Sequence, residues 1–182
     1  MPDMILYTGP MFSSKTTKLL MQADKRQYQK QNIIAFKSKM DDRYSTAGEI
    51  VTHNFNKIPA ILVSTGADII QHVSEDPKVD CVIVDELFLI DGAAESCIQL
   101  FKKGFDVVIA SIDLSFAGEP FDEITKIMPY CTRIVKCKAV CTVCQNDAIY
   151  TFRKDDDDSE ILVGGHDIYE PRCQEHHPHM CL

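Results

Sequence analysis

An apolar run followed by a lysine-containing loop opens the chain. Residues 4–7 read Met-Ile-Leu-Tyr, and residues 9–16 read Gly-Pro-Met-Phe-Ser-Ser-Lys-Thr. This is close to the phosphate-loop pattern G-x-x-x-x-G-K-[ST], in which a strand, a loop and a helix follow one another. Because loop amides and a helix N-terminus attract anions, the pattern predicts a phosphate site at the edge of an α/β sheet.

The residue types of this loop suit a bound nucleotide. The Lys15 ammonium can neutralise β- and γ-phosphate oxygens, and the Thr16 hydroxyl can bind Mg²⁺. The predicted ATP and Mg²⁺ contacts in the loop are Gly9, Met11, Phe12, Ser13, Ser14, Lys15, Thr16 and Thr17. Ser14 stands where the pattern has glycine, and a positive φ there would cost about 1–2 kcal/mol. The alternative is an ordinary strand-to-helix turn with a surface lysine.

Charge and hydropathy limit the partners of the chain. It has 182 residues and a formal net charge of −8, and an acidic surface repels nucleic acid and anionic membranes. We therefore expect neither as a partner. Apolar runs are too short for a transmembrane helix. Since the loop begins at residue 9 with no basic-then-apolar leader before it, we expect a cytoplasmic protein.

Strand and helix patterns alternate over residues 4–138. Apolar runs, such as residues 81–84 within the predicted strand 79–84, are typical of parallel strands that are covered on both faces. The predicted strands are 4–8, 33–37, 60–63, 79–84, 106–112 and 134–138, and the predicted helices are 16–30, 67–73, 93–103 and 122–128. The order predicts an α/β fold of the P-loop NTPase type, with a mostly parallel sheet and helices on both faces.

Acidic residues follow two of the predicted strands. Residues 82–86 read Val-Ile-Val-Asp-Glu, and carboxylates at the C-terminal end of a buried strand lie where α/β sheets place their sites. Asp85 is predicted to approach Mg²⁺, and Glu86 is predicted to accept a proton from an attacking hydroxyl. Asp113 ends a second strand, where a site acid and a loop-capping acid are both consistent with the sequence.

Cysteines and histidines concentrate beyond residue 137. Cys141-x-x-Cys144 and Cys173-x-x-His176 flank a predicted hairpin of residues 148–153 and 160–163, whose tip carries an aspartate run. This is the ligand number and order of a zinc ribbon, and we predict a structural Zn²⁺. His177 or His179 could replace His176, and four unrelated side chains are the alternative. The predicted domains are 1–137, which binds nucleotide, and 138–182, which binds zinc.

Seven motifs, in order, resemble those of the type II thymidine kinases, the cytosolic zinc-containing enzymes of animals, bacteria and large DNA viruses. They are residues 9–16, 41–44, 84–86, 113–116 with 120–121, 141–144, 164–165 with Tyr169, and 173–176. The resemblance covers about residues 4 to 176. It implies transfer of the ATP γ-phosphate to the 5′-OH of thymidine or deoxyuridine in nucleotide salvage, a lasso loop over the nucleoside, and a homotetramer.

The resemblance also implies residue roles. Glu86 resembles the catalytic base, Arg43 the arginine near the transferred phosphoryl group, and Asp41 its acidic companion. Lys15, Thr16 and Asp85 resemble the ATP and Mg²⁺ ligands. The residues that would enclose thymidine are Met11, Phe116, Phe121, Thr151, Val163, Gly164, Gly165 and Tyr169. For Met11 and the two phenylalanines, ordinary core packing is the alternative.

Several positions depart from the family pattern. Ser14 replaces glycine, residues 87–89 read Leu-Phe-Leu where the family has small-Gln-Phe, and Gly118 and Glu119 occupy a stretch that is often basic. These departures favour a second hypothesis, a catalytically impaired nucleotide-binding homologue that acts as a sensor or assembly subunit. A zinc-ribbon module for nucleic acid is disfavoured, because the ribbon lacks clustered basic residues and its tip is acidic.

Overall fold

The computed structural model describes residues 1–41, 48–52, 56–155 and 164–181. Arg43, Val163 and the predicted strand 160–163 lie outside these ranges. The strands are β1 Met4–Thr8, β2 Ile33–Ser38, β3 Glu49–Val51, β4 Lys57–Pro59, β5 Ile61–Val63, β6 Cys81–Asp85, β7 Asp106–Ser111, β8 Arg133–Lys136, β9 Ala139–Val140, β10 Asp147–Ala148, β11 Tyr150–Arg153 and β12 Tyr169–Arg172. The α-helices of the described residues are α1 Lys15–Tyr28, α2 Gly66–Glu75, α3 Ala93–Lys102 and α4 Asp122–Ile127.

Six parallel strands form the central sheet, in the order β5-β2-β6-β7-β1-β8. The predicted α/β architecture is therefore confirmed. Strand β7 lies between β1, which leads into the phosphate loop, and β6, which ends at Asp85. Among the described residues, no helix has the length and apolar character that crossing a bilayer requires.

Both faces of this sheet are covered. Successive strand residues point to opposite faces, so Leu6 and Val84 join the core beneath α2, α3 and α4. Ile5 and Ile83 join the core beneath α1 and the hairpin of β3 and β4, where they meet Leu19. Burying each large aliphatic side chain contributes about 1.5–3 kcal/mol. The double coverage is the physical reason that the strands read as continuous apolar runs.

Local interactions shift some predicted boundaries. The predicted helix 67–73 extends over Gly66–Glu75, because Thr65 and Asp68 form a reciprocal capping box at its start. Such a box satisfies amides that would otherwise be unpaired at a helix N-terminus. The hairpin of β3 and β4 lies between the predicted strands 33–37 and 60–63, where the sequence predicts no strand.

A strand that the sequence does not predict pairs with β11. Strand β11 pairs antiparallel with β12, whereas residues 160–163, its predicted partner, lie outside the described residues. Strand β12 reads Tyr-Glu-Pro-Arg, and proline and glutamate are uncommon in strands. Alternation identified β11 correctly, but it carries no information about which segment completes the ladder. Strands β9 and β10 form a second, shorter antiparallel pair.

A close backbone approach fixes the start of the phosphate loop. Gly9 has a φ of +131°, and a Cβ at this position would lie 2.3 Å from the carbonyl oxygen of Cys137. Cys137 follows β8, and its N–H donates to the Thr8 carbonyl at 2.6 Å. Only glycine satisfies both the dihedral angle and the contact.

We predict that Gly9→Ala destabilises the protein more than Gly104→Ala does. Gly104 has a φ of +100° with open space around it, so its substitution measures the dihedral strain alone. The backbone contact at Gly9 should lower the free energy of unfolding by a further 1–3 kcal/mol, roughly the cost of overpacking. Urea unfolding of the two variants gives the comparison, and equal losses would contradict the prediction.

Candidate active site and metal centre

The C-terminal ends of the parallel strands meet at one edge of the sheet. Strand β1 leads into the phosphate loop, β6 ends at Asp85, and Asp113 follows β7. Parallel α/β sheets bind ligands at this edge. The cleft there is lined by Met11, Phe12, Ser13, Ser14, Lys15, Thr16, Thr17, Lys37, Asp41, Val51, Thr52, Asp85 and Glu86. The predicted loop residues from Met11 to Thr17 thus line one cleft together with the predicted acids Asp41, Asp85 and Glu86.

The phosphate loop has a strained backbone. Phe12 has a φ of 63°, and Ser14, which precedes α1, has φ 60° and ψ 28°. Ser14 therefore adopts the left-handed conformation that the motif glycine would take without strain, at a cost of about 1–2 kcal/mol. The Ser13 hydroxyl and the Lys15 ammonium both donate to the Pro10 carbonyl at 2.7 Å. These two bonds help to hold the loop in its strained shape.

Lys15 is buried at the base of the cleft. Burial lowers the pKa of Lys15, and the negative charges of Glu86 and Asp85 oppose that effect. The ammonium thus lies among carboxylates in a region that is poor in water. A cation in such a place interacts strongly with an anion that enters the cleft, because screening by solvent is weak.

Asp85 and Glu86 present oxygen atoms beside the loop. The Thr16 hydroxyl lies 3.4 and 3.3 Å from the two carboxylate oxygens of Asp85. Oxygen ligands of this kind suit Mg²⁺. Glu86 is buried and has a φ of 51°, and its N–H donates to the Asp85 carboxylate at 3.1 Å. Left-handed non-glycine residues are often found at functional sites.

Two ion pairs flank this centre. Asp41 pairs with Lys37 at 3.4 Å, and both side chains are almost fully buried. Lys37 was not among the predicted site residues, although a lysine within a buried strand is unusual enough to indicate a special role. Asp113 pairs with Lys136 of the edge strand β8. That ion pair favours the loop-acid interpretation of Asp113.

Residues predicted to enclose a nucleoside come from several elements. Thr151 of β11 is buried, and its hydroxyl accepts a hydrogen bond from the Met11 N–H at 3.0 Å. The centroid of the Phe116 ring lies 3.7 Å from the Arg153 guanidinium carbon. Phe121 belongs to the hydrophobic core, where its ring centroid lies 4.7 Å from that of Phe88. The core-packing alternative therefore fits Phe121, whereas Thr151 contacts the phosphate loop directly.

The segment 164–169 forms a compact turn. The Gly165 carbonyl accepts hydrogen bonds from the N–H groups of Ile168 at 3.1 Å and Tyr169 at 2.9 Å. A Cβ on Gly164 would lie 2.3 Å from the Ile168 side chain. The predicted residues Gly164 and Gly165 thus lie in one turn, which is hydrogen-bonded to the predicted residue Tyr169 at the start of β12.

The four predicted metal ligands lie together. The ligand atoms of Cys141, Cys144, Cys173 and His176 all fall within 4.8 Å of one another. The sulfurs of Cys144 and Cys173 are 3.6 Å apart, and the Cys173 sulfur is 3.1 Å from His176 Nδ1. A tetrahedral zinc ion with Zn–S bonds of about 2.3 Å spaces its sulfurs about 3.8 Å apart. Three sulfurs and one nitrogen at these spacings fit a structural zinc site.

The structure distinguishes among the three candidate histidines. His176 joins the cluster, whereas His177 is fully buried and its Nε2 lies 3.0 Å from the Thr151 carbonyl. Because a carbonyl only accepts, Nε2 carries the proton, and burial lowers the pKa of His177. The His179 ring packs beside that of His177, with centroids 5.8 Å apart. Adjacent histidines therefore point to different partners.

Backbone amides prepare one thiol for a metal. Burial would raise the pKa of Cys141, but hydrogen bonds from the amides of Cys144, Cys173 and Val143 outweigh it and lower the pKa to about 6. Zinc binds the thiolate form of cysteine. The backbone around Cys141 therefore favours the thiolate form of this cysteine, which metal binding requires.

We predict that Cys144→Ser abolishes stoichiometric zinc binding and lowers the melting temperature. Metal binding and folding are coupled in small zinc units, because the unfolded chain has no preformed site. Cys181→Ser is the matched control, since Cys181 is exposed and lies outside the cluster. Elemental analysis of reduced protein measures the metal. Zinc that is absent from the wild type, or retained at full stoichiometry by Cys144→Ser, would contradict the prediction.

A comparison with family models agrees with this geometry. The model described as thymidine kinase matches residues 3–177, which include the phosphate loop, Asp85 and Glu86 at the end of β6, and all four members of the cysteine–histidine cluster. The cluster fits the zinc-containing type II branch of that family. Since the match extends over almost the whole sequence, the chain belongs to the thymidine kinase family.

Proposed function

We propose that the protein transfers the γ-phosphate of ATP to the 5′-OH of thymidine, giving dTMP. The observation that carries the proposal is that Lys15, Thr16 and the two acids at the end of β6, Asp85 and Glu86, line one cleft. The chain that forms this cleft belongs to the thymidine kinase family. Phosphoryl transfer depends mainly on positioning and on stabilising charge. A cationic loop opposite two carboxylates provides groups for both tasks.

Each group has a role in the proposed reaction. Loop amides and Lys15 bind the β- and γ-phosphate oxygens. Thr16 and Asp85 hold Mg²⁺, which neutralises phosphate charge when bound. Glu86 accepts the proton of the thymidine 5′-OH as the oxygen attacks phosphorus, and the leaving group is ADP. Lys15 stabilises the charge that develops on the transferred group.

The nucleoside lies, in this proposal, between the phosphate loop and the C-terminal part of the chain. The Met11 N–H and Thr151 hydroxyl join the two parts at 3.0 Å. The remaining enclosing residues are Phe116, Phe121, Gly164, Gly165 and Tyr169. The proposal also includes roles for Val163 and Arg43 and a homotetramer, which rest on the family resemblance. The domains 1–137 and 138–182 and a cytoplasmic location are part of the proposal as well, and they rest on the sequence patterns.

A phosphate-transfer assay with labelled ATP tests the proposal. Thymidine, deoxyuridine, deoxycytidine, deoxyadenosine and deoxyguanosine are compared at equal concentration. Thymidine should be the best acceptor, and turnover should require Mg²⁺ because the triphosphate is otherwise poorly neutralised. Protein that binds ATP but transfers phosphate to none of the five would instead support the impaired homologue.

We predict that Glu86→Gln lowers kcat by about 10²–10⁴-fold, the usual contribution of a general base. ATP affinity should change little, because the amide keeps the shape of the side chain and the negative charge of Asp85 still faces Lys15. Glu75→Gln, on the exposed end of α2, serves as the control and should retain wild-type kcat. Near wild-type turnover by Glu86→Gln would reject the assignment.

A further inference from the structure

An aromatic stack joins the phosphate loop to the turn of residues 164–169. The rings of Phe12 and His166 have centroids 3.6 Å apart and planes inclined by 14°. Phe12 lines the cleft, while His166 directly follows Gly164 and Gly165, two of the proposed nucleoside contacts. Phe12 lies in the motif of residues 9–16, whereas His166 belongs to none of the seven motifs. The two residues are 154 positions apart in the sequence.

The backbone around His166 is held independently of the stack. The Lys154 ammonium donates to the His166 carbonyl, and the Gly165 N–H donates to the Asp167 carboxylate at 3.0 Å. The Lys154 N–H also donates to the Ile168 carbonyl at 2.8 Å. A side chain on such a turn loses less conformational entropy when it makes a contact.

The neighbouring loop residue makes a second connection. The Met11 N–H donates to the Thr151 hydroxyl, so consecutive residues of the loop contact β11 and the turn before β12. Phe12 also has a φ of 63°, a conformation that nearby contacts must maintain. The shape of the phosphate loop and the placement of the turn are therefore linked by direct contacts.

We propose that His166 is a positioning residue that fastens the 164–169 turn to the phosphate loop and so makes ATP and thymidine bind cooperatively. The proposal rests on the proposed function, because it takes these two molecules as the ligands of the cleft. A nucleotide that orders the loop stabilises Phe12 in its stacking position. A nucleoside that orders the turn stabilises His166. By linkage, each ligand must then raise the affinity of the other by the same factor.

The contribution of the stack sets the size of the expected effect. Aromatic pairs contribute, beyond the area that they bury, an amount that corresponds to about 2- to 12-fold in an equilibrium constant. We call the factor by which one ligand raises the affinity for the other the coupling factor. Removing the His166 imidazole should reduce the coupling factor by that amount. If His166 had a purely structural role, its removal would change the melting temperature or the affinities for both ligands. The coupling factor, which is the ratio of the thymidine affinities with and without nucleotide, would stay the same.

Calorimetric titration of the full chain with thymidine, with and without a non-hydrolysable ATP analogue and Mg²⁺, gives the coupling factor. His166→Ala should lower this factor about 2- to 12-fold, whereas His166→Phe should retain it because a stacking ring remains. His72→Ala on α2 is the matched control and should have no effect. Phe12→Leu should lower the factor as His166→Ala does, and the double variant should lower it no further.

The possible failures are distinguishable. A coupling factor that is unchanged in His166→Ala, or that equals one in the wild type, would overturn this inference and leave the proposed function standing. Wild-type protein that binds no thymidine would overturn the proposed function and the inference with it. Loss of coupling in His166→Phe as well as in His166→Ala would also overturn the inference, because stacking would then not be its cause.

Discussion

Both faces of the six-stranded sheet are buried, so polar groups that do chemistry can lie only where its strands end. Parallel alignment brings all the carboxyl ends to one edge, where the phosphate loop and Asp85 meet even though β7 lies between their strands. The same constraint explains Lys37, which is tolerated in a buried strand because it pairs with Asp41 at the end of that strand. The position of the cleft is thus a consequence of packing.

Three residues of the cleft have strained backbone dihedral angles. Phe12, Ser14 and Glu86 all have positive φ values, and each costs on the order of 1–2 kcal/mol. Strain of this kind persists only where surrounding contacts determine the conformation. Here the Pro10 carbonyl accepts from two side chains of the loop, and Thr151 accepts from the Met11 amide. Glycine at position 14 would remove one cost, but it would also increase the freedom of the unfolded chain.

The central sheet was predictable because buried parallel strands have an unmistakable apolar pattern, as in β6 and β7. The metal cluster was predictable from ligand spacing. The pairing of β11 with β12 was not predictable, because strand pairing depends on the path of the chain. Pro171 also makes the sequence of β12 unlike that of a typical strand. Spacing could not separate His176 from His177, because neighbouring side chains differ in direction and not in sequence position. The stack of Phe12 on His166 joins distant segments, and no local pattern indicates it.

The packing of the region around the cysteine–histidine cluster explains why we expect a bound metal to stabilise it. In the described part of this region, the hydrophobic cluster has Ala139, Cys141 and Ala148 as its buried members, and so small a core stabilises little by itself. Zinc bound by the cluster would supply the missing stability. His176 belongs to the cluster, the next residue hydrogen-bonds to the Thr151 carbonyl, and the Thr151 hydroxyl bonds to the phosphate loop. Loss of the proposed metal would therefore disturb the phosphate loop through two consecutive hydrogen bonds, without any substitution in the residues proposed to contact nucleotide.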